Sequence, residues 1–205
     1  MHQLKIERRE GGEGTRLWID SVAGLVGLVA IGAVELHPWN APVDGLEHPD
    51  RIVIDLDPGD GLGWTLVTDT ALQLRDMLRQ EGLDSWPKLT GGKGIHLMAP
   101  VETTVTHAEA RDFARALAQR MTSTAPGRYL TVADPTKRSE RIFIDYLRNG
   151  RGNTAIGTYS PRVREGFPVA AKVTWKEIEN GIPPDAFSMS DPPGREAKKR
   201  KKMKG

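Results

Sequence analysis

The alternation of apolar and polar positions predicts a chain of short strands and amphipathic helices. Two β-branched runs, residues 51–58 and 141–146, end in aspartates and predict buried strands. Residues 64–81 and 106–123 carry apolar side chains at helical spacing, with Thr106 as a capping residue. Because strands and helices mix without a regular βαβ repeat, we predict an α+β domain with mixed, mainly antiparallel sheets and flanking helices.

The most apolar stretch, residues 21–36, is too short to span a bilayer and contains three glycines. We predict a buried helix there, capped by Asp20 or Ser21. Shorter strands are predicted at residues 17–19, 34–36, 86–89 and 95–99.

The composition is that of one globular domain: 205 residues, 38% hydrophobic and 27% charged. The absence of cysteine excludes disulfides and thiolate zinc sites, and five scattered histidines make a histidine-only zinc site improbable. We expect a protein of the reducing cytoplasm that is not bound to a membrane.

The net charge of +2 hides an asymmetry, because residues 195–205 contribute +6 and the remainder −4. This basic run is consistent with two interpretations that the sequence leaves open: a disordered solubilising end, or a contact with nucleic acid. The residues that would contact DNA are Lys198, Lys199, Arg200, Lys201 and Lys202.

Carboxylates at the ends of the two acidic strands indicate a metal site. In a strand, Asp55 and Asp57 project on the same side as Val53, about two rises of roughly 3.3 Å apart. A shielded charge needs a partner or a metal, and Asp145 could supply a third carboxylate for one or two Mg²⁺ or Mn²⁺ ions. Asp57 alone is equally consistent with an ordinary Asp-Pro-Gly turn.

The glycine-rich segment 90–96 predicts a phosphate-binding loop. Its glycines let backbone amides approach an anion, and Lys93 and His96 lie in the same element. The spacing is not that of a Walker A loop, and the segment opens a strand rather than a helix. Arginines dense in the region downstream of Asp145 predict at least one further phosphate ligand: Arg148, Arg151, Arg162 and Arg164.

Several of these motifs, taken in order, resemble the polymerase domain of bacterial DNA ligase D, a branch of the archaeo-eukaryotic primase superfamily. The resemblance covers about residues 17–188. It is carried by His37-Pro38-Trp39, Asp55-Leu56-Asp57-Pro58, Gly91-Gly92-Lys93-Gly94-Ile95-His96, Ile142-Phe143-Ile144-Asp145-Tyr146, Asn149-Gly150 and Tyr159-Ser160-Pro161-Arg162.

The resemblance implies a primase-like core related to the RNA-recognition-motif fold. It further implies a nucleotidyltransferase that adds ribo- or deoxyribonucleotides to DNA 3′ ends in non-homologous end joining. Two manganese or magnesium ions would be held by Asp55, Asp57 and Asp145. The residues that would bind the nucleoside triphosphate are His37, Thr90, Lys93, His96, Arg148 and Arg162.

The implied partners are DNA with breaks, gaps or overhangs, nucleoside triphosphates, a Ku-like end-binding protein and an ATP-dependent DNA ligase, at the nucleoid of a bacterium. Two features depart from the family's pattern. Thr90 stands where the family usually has serine, and the family's domain carries a further N-terminal part. We therefore expect an N-terminal extension or remnant at 1–16, a catalytic domain at 17–188 and a basic, disordered tail at 189–205.

Two other functions fit parts of the pattern. Asp55-Leu56-Asp57 at a strand end is also typical of haloacid-dehalogenase phosphohydrolases, with Asp55 as nucleophile, although the usual later acidic pair is not evident. A non-catalytic adaptor that only binds nucleotide or DNA is the second alternative.

Overall fold

The computed structural model describes residues 1–7 and 11–194, so the predicted DNA-contacting run 198–202 lies outside the described residues. Two 3₁₀ turns, Pro135–Lys137 and Leu147–Asn149, flank the strand that ends in Asp145. In chain order the strands and helices are β1 (His2–Glu7), β2 (Glu13–Trp18), α1 (Val22–Ala30), β3 (Arg51–Pro58), α2 (Trp64–Gln80), β4 (Trp86–Leu89), β5 (Ile95–Pro100), α3 (His107–Thr124), β6 (Tyr129–Leu130), β7 (Ile142–Asp145), β8 (Ala171–Lys172) and α4 (Trp175–Glu179).

A six-stranded sheet in the order β6-β7-β3-β5-β4-β8 organises the molecule. The pair β6–β7 is parallel, and the other neighbouring pairs are antiparallel. β3 therefore lies inside the sheet, with β5 on one side and β7 on the other. This arrangement confirms the predicted α+β class with a mainly antiparallel sheet.

The two faces of the sheet have different chemistry because side chains alternate along β3. Ile52, Ile54 and Leu56 point into the main hydrophobic core, where they meet apolar residues of α2 and α3. Val53 belongs to a second, small cluster on the opposite face. Asp55 and Asp57 share that opposite face, as the alternation predicts, so the carboxylates lie away from the helices.

The strongest local signals in the sequence are confirmed. α3 begins after Thr106, whose side chain accepts a hydrogen bond from the backbone N–H of Glu109 while Glu109 bonds back to Thr106. The predictions for α2, β3, β4, β5 and β7 agree with the structure to within one or two residues. β1 and β2 form a hairpin, of which the sequence analysis predicted only a strand at residues 17–19. β2 spans the position between residues 16 and 17 where the N-terminal extension was expected to meet the catalytic domain.

The prediction that the apolar helix is buried is wrong. Within α1 only Gly24 is buried, and it packs against Ile19, whereas Val22, Val26 and Val29 are 78%, 60% and 61% exposed. A helix that is apolar on all sides is typical of a buried position, but among the described residues no element covers its outer side. No helix in the described part of the chain is long and apolar enough to cross a membrane.

The strand predicted at 34–36 is also absent, since those residues adopt no regular strand. The backbone N–H of Leu36 donates to the Ser160 hydroxyl at 2.8 Å, and its carbonyl accepts from the N–H of Gly157. Side-chain and loop partners therefore replace the ladder that a strand would form.

Gly59, directly after β3, is expected to be intolerant of a side chain. A Cβ at this position would lie 2.0 Å from the Arg138 carbonyl oxygen, so the two loops would be forced apart. Gly59→Ala is expected to lower the free energy of unfolding by about 1–3 kcal/mol, measured by urea denaturation. Gly63→Ala is the matched control, because a Cβ there meets no atom within 4 Å; equal losses in both variants would contradict the prediction.

Candidate active site

A row of ionisable side chains crosses the face of the sheet opposite the helices. Lys88 on β4 is paired with His96 on β5, His96 with Asp55 on β3, and Asp55 with Asp145 on β7. Directly opposed residues in antiparallel strands have Cβ atoms about 4.5–5.5 Å apart. All four side chains are buried, so the sheet register itself assembles a charged cluster at the centre of the molecule.

Arg148 links the two buried carboxylates. Its Nη2 lies 3.1 Å from Asp55 Oδ2, and its Nε lies 3.1 Å from Asp145 Oδ2. Arg148 follows Asp145 by three residues, and the 3₁₀ turn that contains it folds its side chain back over the end of β7. The turn therefore brings one guanidinium to both carboxylates.

Asp57 has its own cation, Arg138. The Arg138 Nη1 lies 2.6 Å from Asp57 Oδ2, and its guanidinium lies 4.4 Å from the ring centroid of Phe143, the residue opposite Asp57 on β7. Arg138 lies in the basic segment 137–141 before β7, and the sequence analysis did not assign it to the site.

Asn149 holds the turn that carries Arg148 against the central strand. Its side-chain oxygen accepts from the Val53 N–H at 2.7 Å, and its side-chain nitrogen donates to the carbonyls of Val53 and Tyr146, each at 2.8 Å. Asn149 is fully buried, so these bonds are costly to lose. The sequence analysis quoted Asn149 in a motif but did not assign it to the site.

The carboxylates differ in their affinity for protons. Burial would raise the pKa of Asp55, but the charges and hydrogen bonds of His96 and Arg148 outweigh it and hold that pKa below its ordinary value. Burial lowers the pKa of His96, while the charge of the nearby Asp55 carboxylate opposes the decrease, so Arg148 is the permanently charged group beside Asp55. Burial, followed by repulsion from Asp55, raises the pKa of Asp57.

Asp145 resembles Asp57 in this respect. Burial raises its pKa most, repulsion from Asp55 adds to the rise, and Arg148 opposes both. The raised pKa values of Asp57 and Asp145 mean that their surroundings disfavour the ionised carboxylates, while Asp55 is held ionised. Added positive charge near the three side chains would therefore stabilise their ionised forms.

A cavity of about 200 Å³ opens above the row of carboxylates. The six residues expected from the resemblance to bind nucleotide all line it, together with Asp55 and Asp57. Asp145 is not among the lining residues and adjoins the cavity through Arg148. These six residues are His37, Thr90, Lys93, His96, Arg148 and Arg162. Arg164 also lines the cavity.

The glycine-rich loop forms a tight turn at the cavity edge. The Thr90 N–H and hydroxyl both donate to the Gly94 carbonyl, at 3.2 and 3.1 Å, and Gly91 has a φ of +67° that glycine adopts without strain. A Cβ on Gly94 would lie 2.6 Å from the Leu56 carbonyl oxygen, so the loop packs directly on β3. Lys93 extends from the turn and forms an ion pair with the exposed Asp60 at 2.9 Å.

Glu35 connects two cavity residues and was not predicted. One carboxylate oxygen lies 3.0 Å from His37 Nε2 and 3.2 Å from Arg162 Nε, and the other accepts from the Val163 N–H at 2.7 Å. Arg162 also donates to the Thr90 carbonyl at 2.9 Å. His37 is only two residues from Glu35, but Arg162 and Val163 are distant in sequence, so no local pattern could have identified Glu35 as the residue that joins them.

The donor set fits divalent ions in its chemistry. Asp55, Asp57 and Asp145 supply the hard carboxylate oxygens that Mg²⁺ and Mn²⁺ prefer. In residues 1–7 and 11–194, no three His, Cys, Asp or Glu side chains converge closely enough to hold an ion as they stand. Arg138 and Arg148 contact one oxygen of each of the three carboxylates, so ions that used these same oxygens would displace the guanidinium groups.

The fold is that of a primase-like polymerase domain. The structure is similar to the polymerase domain of Mycobacterium tuberculosis ligase D, solved in complex with DNA, with a TM-score of 0.81 and 30% sequence identity. The match covers 89% of this chain and 66% of that one. The family model described as LigD, primase-polymerase domain matches residues 1–203, and the chain belongs to this family.

Named relatives are much longer than this chain. The multifunctional non-homologous end joining protein LigD of Pseudomonas aeruginosa is 40% identical over 169 residues, which cover 82% of this chain and 20% of that protein. The bifunctional LigD of Bacillus subtilis is 34% identical over 143 residues, covering 69% and 23% respectively. The chain therefore spans about a fifth of the length of these curated relatives.

Glu35 is expected to make the stability of the protein depend on acidity. The hydrogen bond from His37, opposed by burial and helped by Val163 and Arg162, lowers the pKa of Glu35 from 4.5 to about 2. Because the folded state has the lower pKa, this stabilisation is complete above about pH 4.5 and is lost as the pH falls towards 2. Allowing for partial solvent screening, the loss is about 1–3 kcal/mol.

The measurement is the free energy of unfolding from urea denaturation between pH 6 and 2. Glu35→Gln should remove this part of the pH dependence, so its curve should be flatter than that of the wild type. Glu102→Gln, at an exposed position, is the control and should keep the wild-type slope. Parallel curves for the wild type and Glu35→Gln would contradict the assigned ion pair.

Proposed function

We propose that this chain is a nucleotidyltransferase that adds ribo- or deoxyribonucleotides to DNA 3′ ends during non-homologous end joining. The observation that carries the proposal is the cavity that joins Asp55 and Asp57 with a cluster of cationic side chains. Family membership supports it, because the relatives are named for end joining and the matched domain is a primase-polymerase.

Asp55, Asp57 and Asp145 would hold two Mn²⁺ or Mg²⁺ ions, which when bound activate a primer 3′-hydroxyl and stabilise the charge of the pyrophosphate leaving group. The chain contributes the placement of the carboxylates. Asp55 and Asp145 sit on adjacent strands in register, and Asp57 lies two residues further along the same face. Sites built on strands keep such spacing better than sites built on loops.

The cationic side chains of the cavity would bind the triphosphate. Lys93 lies on the glycine turn, and Arg162 is fixed by Glu35 and by the Thr90 carbonyl. His96 has a buried Nδ1 without a hydrogen-bond partner among the described residues, while its Nε2 faces Asp55. With a proton on both ring nitrogens, Nε2–H would donate to Asp55 and Nδ1–H to a phosphate oxygen, which would satisfy the unpaired nitrogen; His37 lies at the outer edge of the cavity.

We propose broken, gapped or overhanging DNA as the second substrate. The solved structure of the M. tuberculosis domain contains DNA, and that domain shares the fold of this chain. A Ku-like end-binding protein and an ATP-dependent ligase would be partners at the bacterial nucleoid in the cytoplasm, since a filled end still has to be held and sealed.

Replacement of the central carboxylates is expected to abolish nucleotide addition. Asp55→Asn and Asp57→Asn keep the side-chain size but remove the charges that would hold the ions, so the rate should fall at least about a hundredfold. The measurement is primer extension on a gapped, 5′-phosphorylated duplex with each NTP or dNTP and Mn²⁺. Asp69→Asn, at an exposed position on α2, is the matched control.

The outcomes separate the candidate functions. Extension by the wild type and by Asp69→Asn, but not by the site variants, supports the polymerase. Wild-type rates in Asp57→Asn would overturn the two-ion assignment. No extension by a folded wild type that binds ATP would favour the adaptor, and phosphate trapped covalently on Asp55 would favour a phosphohydrolase.

The basic run at the end of the chain is expected to supply much of the electrostatic attraction to DNA. Each phosphate that a lysine or arginine neutralises adds about 0.9 to the slope of log affinity against log salt. Deletion of residues 195–205, which contain seven lysines and arginines, should flatten that slope, measured by fluorescence anisotropy with duplex DNA. A scrambled tail of the same composition should keep it; an unchanged slope after deletion would exclude the tail as the main contact.

A further inference from the structure

Lys88 is a buried lysine beside the site to which neither the motifs nor the proposed chemistry gives a role. It lies on β4 with 2% of its surface exposed and is among the largest fully buried side chains. A buried ammonium group is costly unless it is paired and hydrogen-bonded. Its Nζ donates to the carbonyl oxygen of Ile156, which lies in a loop 68 residues away.

The loop that Lys88 contacts forms one wall of the cavity. Ile156 lines the cavity, and the residues on either side of it bond to the segment 36–39. The Ala155 N–H donates to the Pro38 carbonyl at 3.3 Å, and the Gly157 N–H donates to the Leu36 carbonyl at 2.8 Å. Lys88 therefore holds the middle of a short stretch whose two neighbours position the segment that contains His37.

The wall also connects to the carboxylates. Trp39 and Thr154 form an isolated β-bridge, and Arg148 Nη1 donates to the Thr154 carbonyl at 3.4 Å. Asn40 donates to the Arg148 carbonyl at 3.0 Å. A displacement of the wall would thus reach both His37 and the guanidinium that contacts Asp55 and Asp145.

Lys88 keeps its positive charge at neutral pH although it is buried. Burial lowers the pKa of Lys88 to about 8, while attraction to the Asp55 carboxylate opposes the decrease, so the ammonium remains mostly charged at pH 7. A charged donor forms a stronger bond to the Ile156 carbonyl than a neutral donor would. The same charge partly balances the carboxylates across His96, the residue directly opposite Lys88.

We propose that Lys88 is a positioning residue: its ammonium group anchors the Ile156 carbonyl and so holds the wall that places His37 and Arg148 around the cavity. It does not itself line the cavity. The consequence for nucleotide affinity rests on the proposed function, whereas the anchoring of the wall does not.

The first test is hydrogen–deuterium exchange of the full chain, without added ligand. Lys88→Met removes the donor and the charge at similar volume, and peptides containing Ala155 and Gly157 should exchange at least tenfold faster than in the wild type. Lys172→Met is the matched control: Lys172 is the residue opposite Lys88 on β8, is exposed, and lies 4.6 Å from the Trp86 ring centroid. It should leave these peptides unchanged.

Lys88→Arg restores a charged donor and should bring exchange back to within about threefold of the wild type. Wild-type exchange in a folded Lys88→Met variant would overturn the proposal, and so would acceleration in Lys88→Arg as large as that in Lys88→Met. Circular dichroism checks the fold. If Lys88→Met does not fold, Lys88→Gln, which also lacks the charge, replaces it in the same comparison, and wild-type exchange in that variant would overturn the proposal.

The second test is equilibrium binding of ATP by calorimetry. Lys88→Met should weaken binding at least tenfold, and Lys172→Met should not change it. A wild type that binds no ATP would overturn the proposed function, and the exchange experiment would still decide the role of Lys88. Faster exchange with unchanged ATP affinity would limit Lys88 to the stability of the loop and overturn its role in the pocket.

Discussion

A carboxylate in the middle of the central strand is the constraint on which the rest of the site depends. Asp55 is 7% exposed and its strand has β5 and β7 on either side, so its carboxylate has little contact with water. An uncompensated charge at such a position costs several kcal/mol. The turn after β7 and the register of β5 bring Arg148 and His96 to it, and both of these side chains line the cavity.

The contacts of the site divide into fixed and exchangeable ones. Lys88 and His96 are almost completely buried and have little freedom to move, whereas the side chains of Arg138 and Arg148 are 27% and 41% exposed. Divalent ions and guanidinium groups compete for the same carboxylate oxygens. Under the proposed function, the exposed arginines would be the groups that move to solvent or to a phosphate as ions bind to the carboxylates.

The sequence patterns predicted correctly those features that depend on residues close together in the chain. The alternation in β3 and the capping box at Thr106 depend on neighbouring residues, and both are confirmed. The contacts of Glu35 with Val163 and of Lys88 with Ile156 join residues more than 60 positions apart, which no periodicity reveals. The composition of α1 misled for the same reason, since burial depends on what packs against a helix and not only on its side chains.

The residues of the proposed site all lie within this chain, although the chain is much shorter than its relatives. The three carboxylates and the residues that line the cavity lie between positions 35 and 164. All six strands of the sheet that carries the carboxylates belong to the described residues. The exposed side of α1 lies apart from that sheet core. Groups that would hold ions and triphosphate are therefore assembled by contacts within this chain, whereas the chain matches only about a fifth of the length of its relatives. Contact with a DNA end requires a much larger surface than triphosphate binding, so under the proposed function nucleotide binding and DNA binding would be separable properties of this domain.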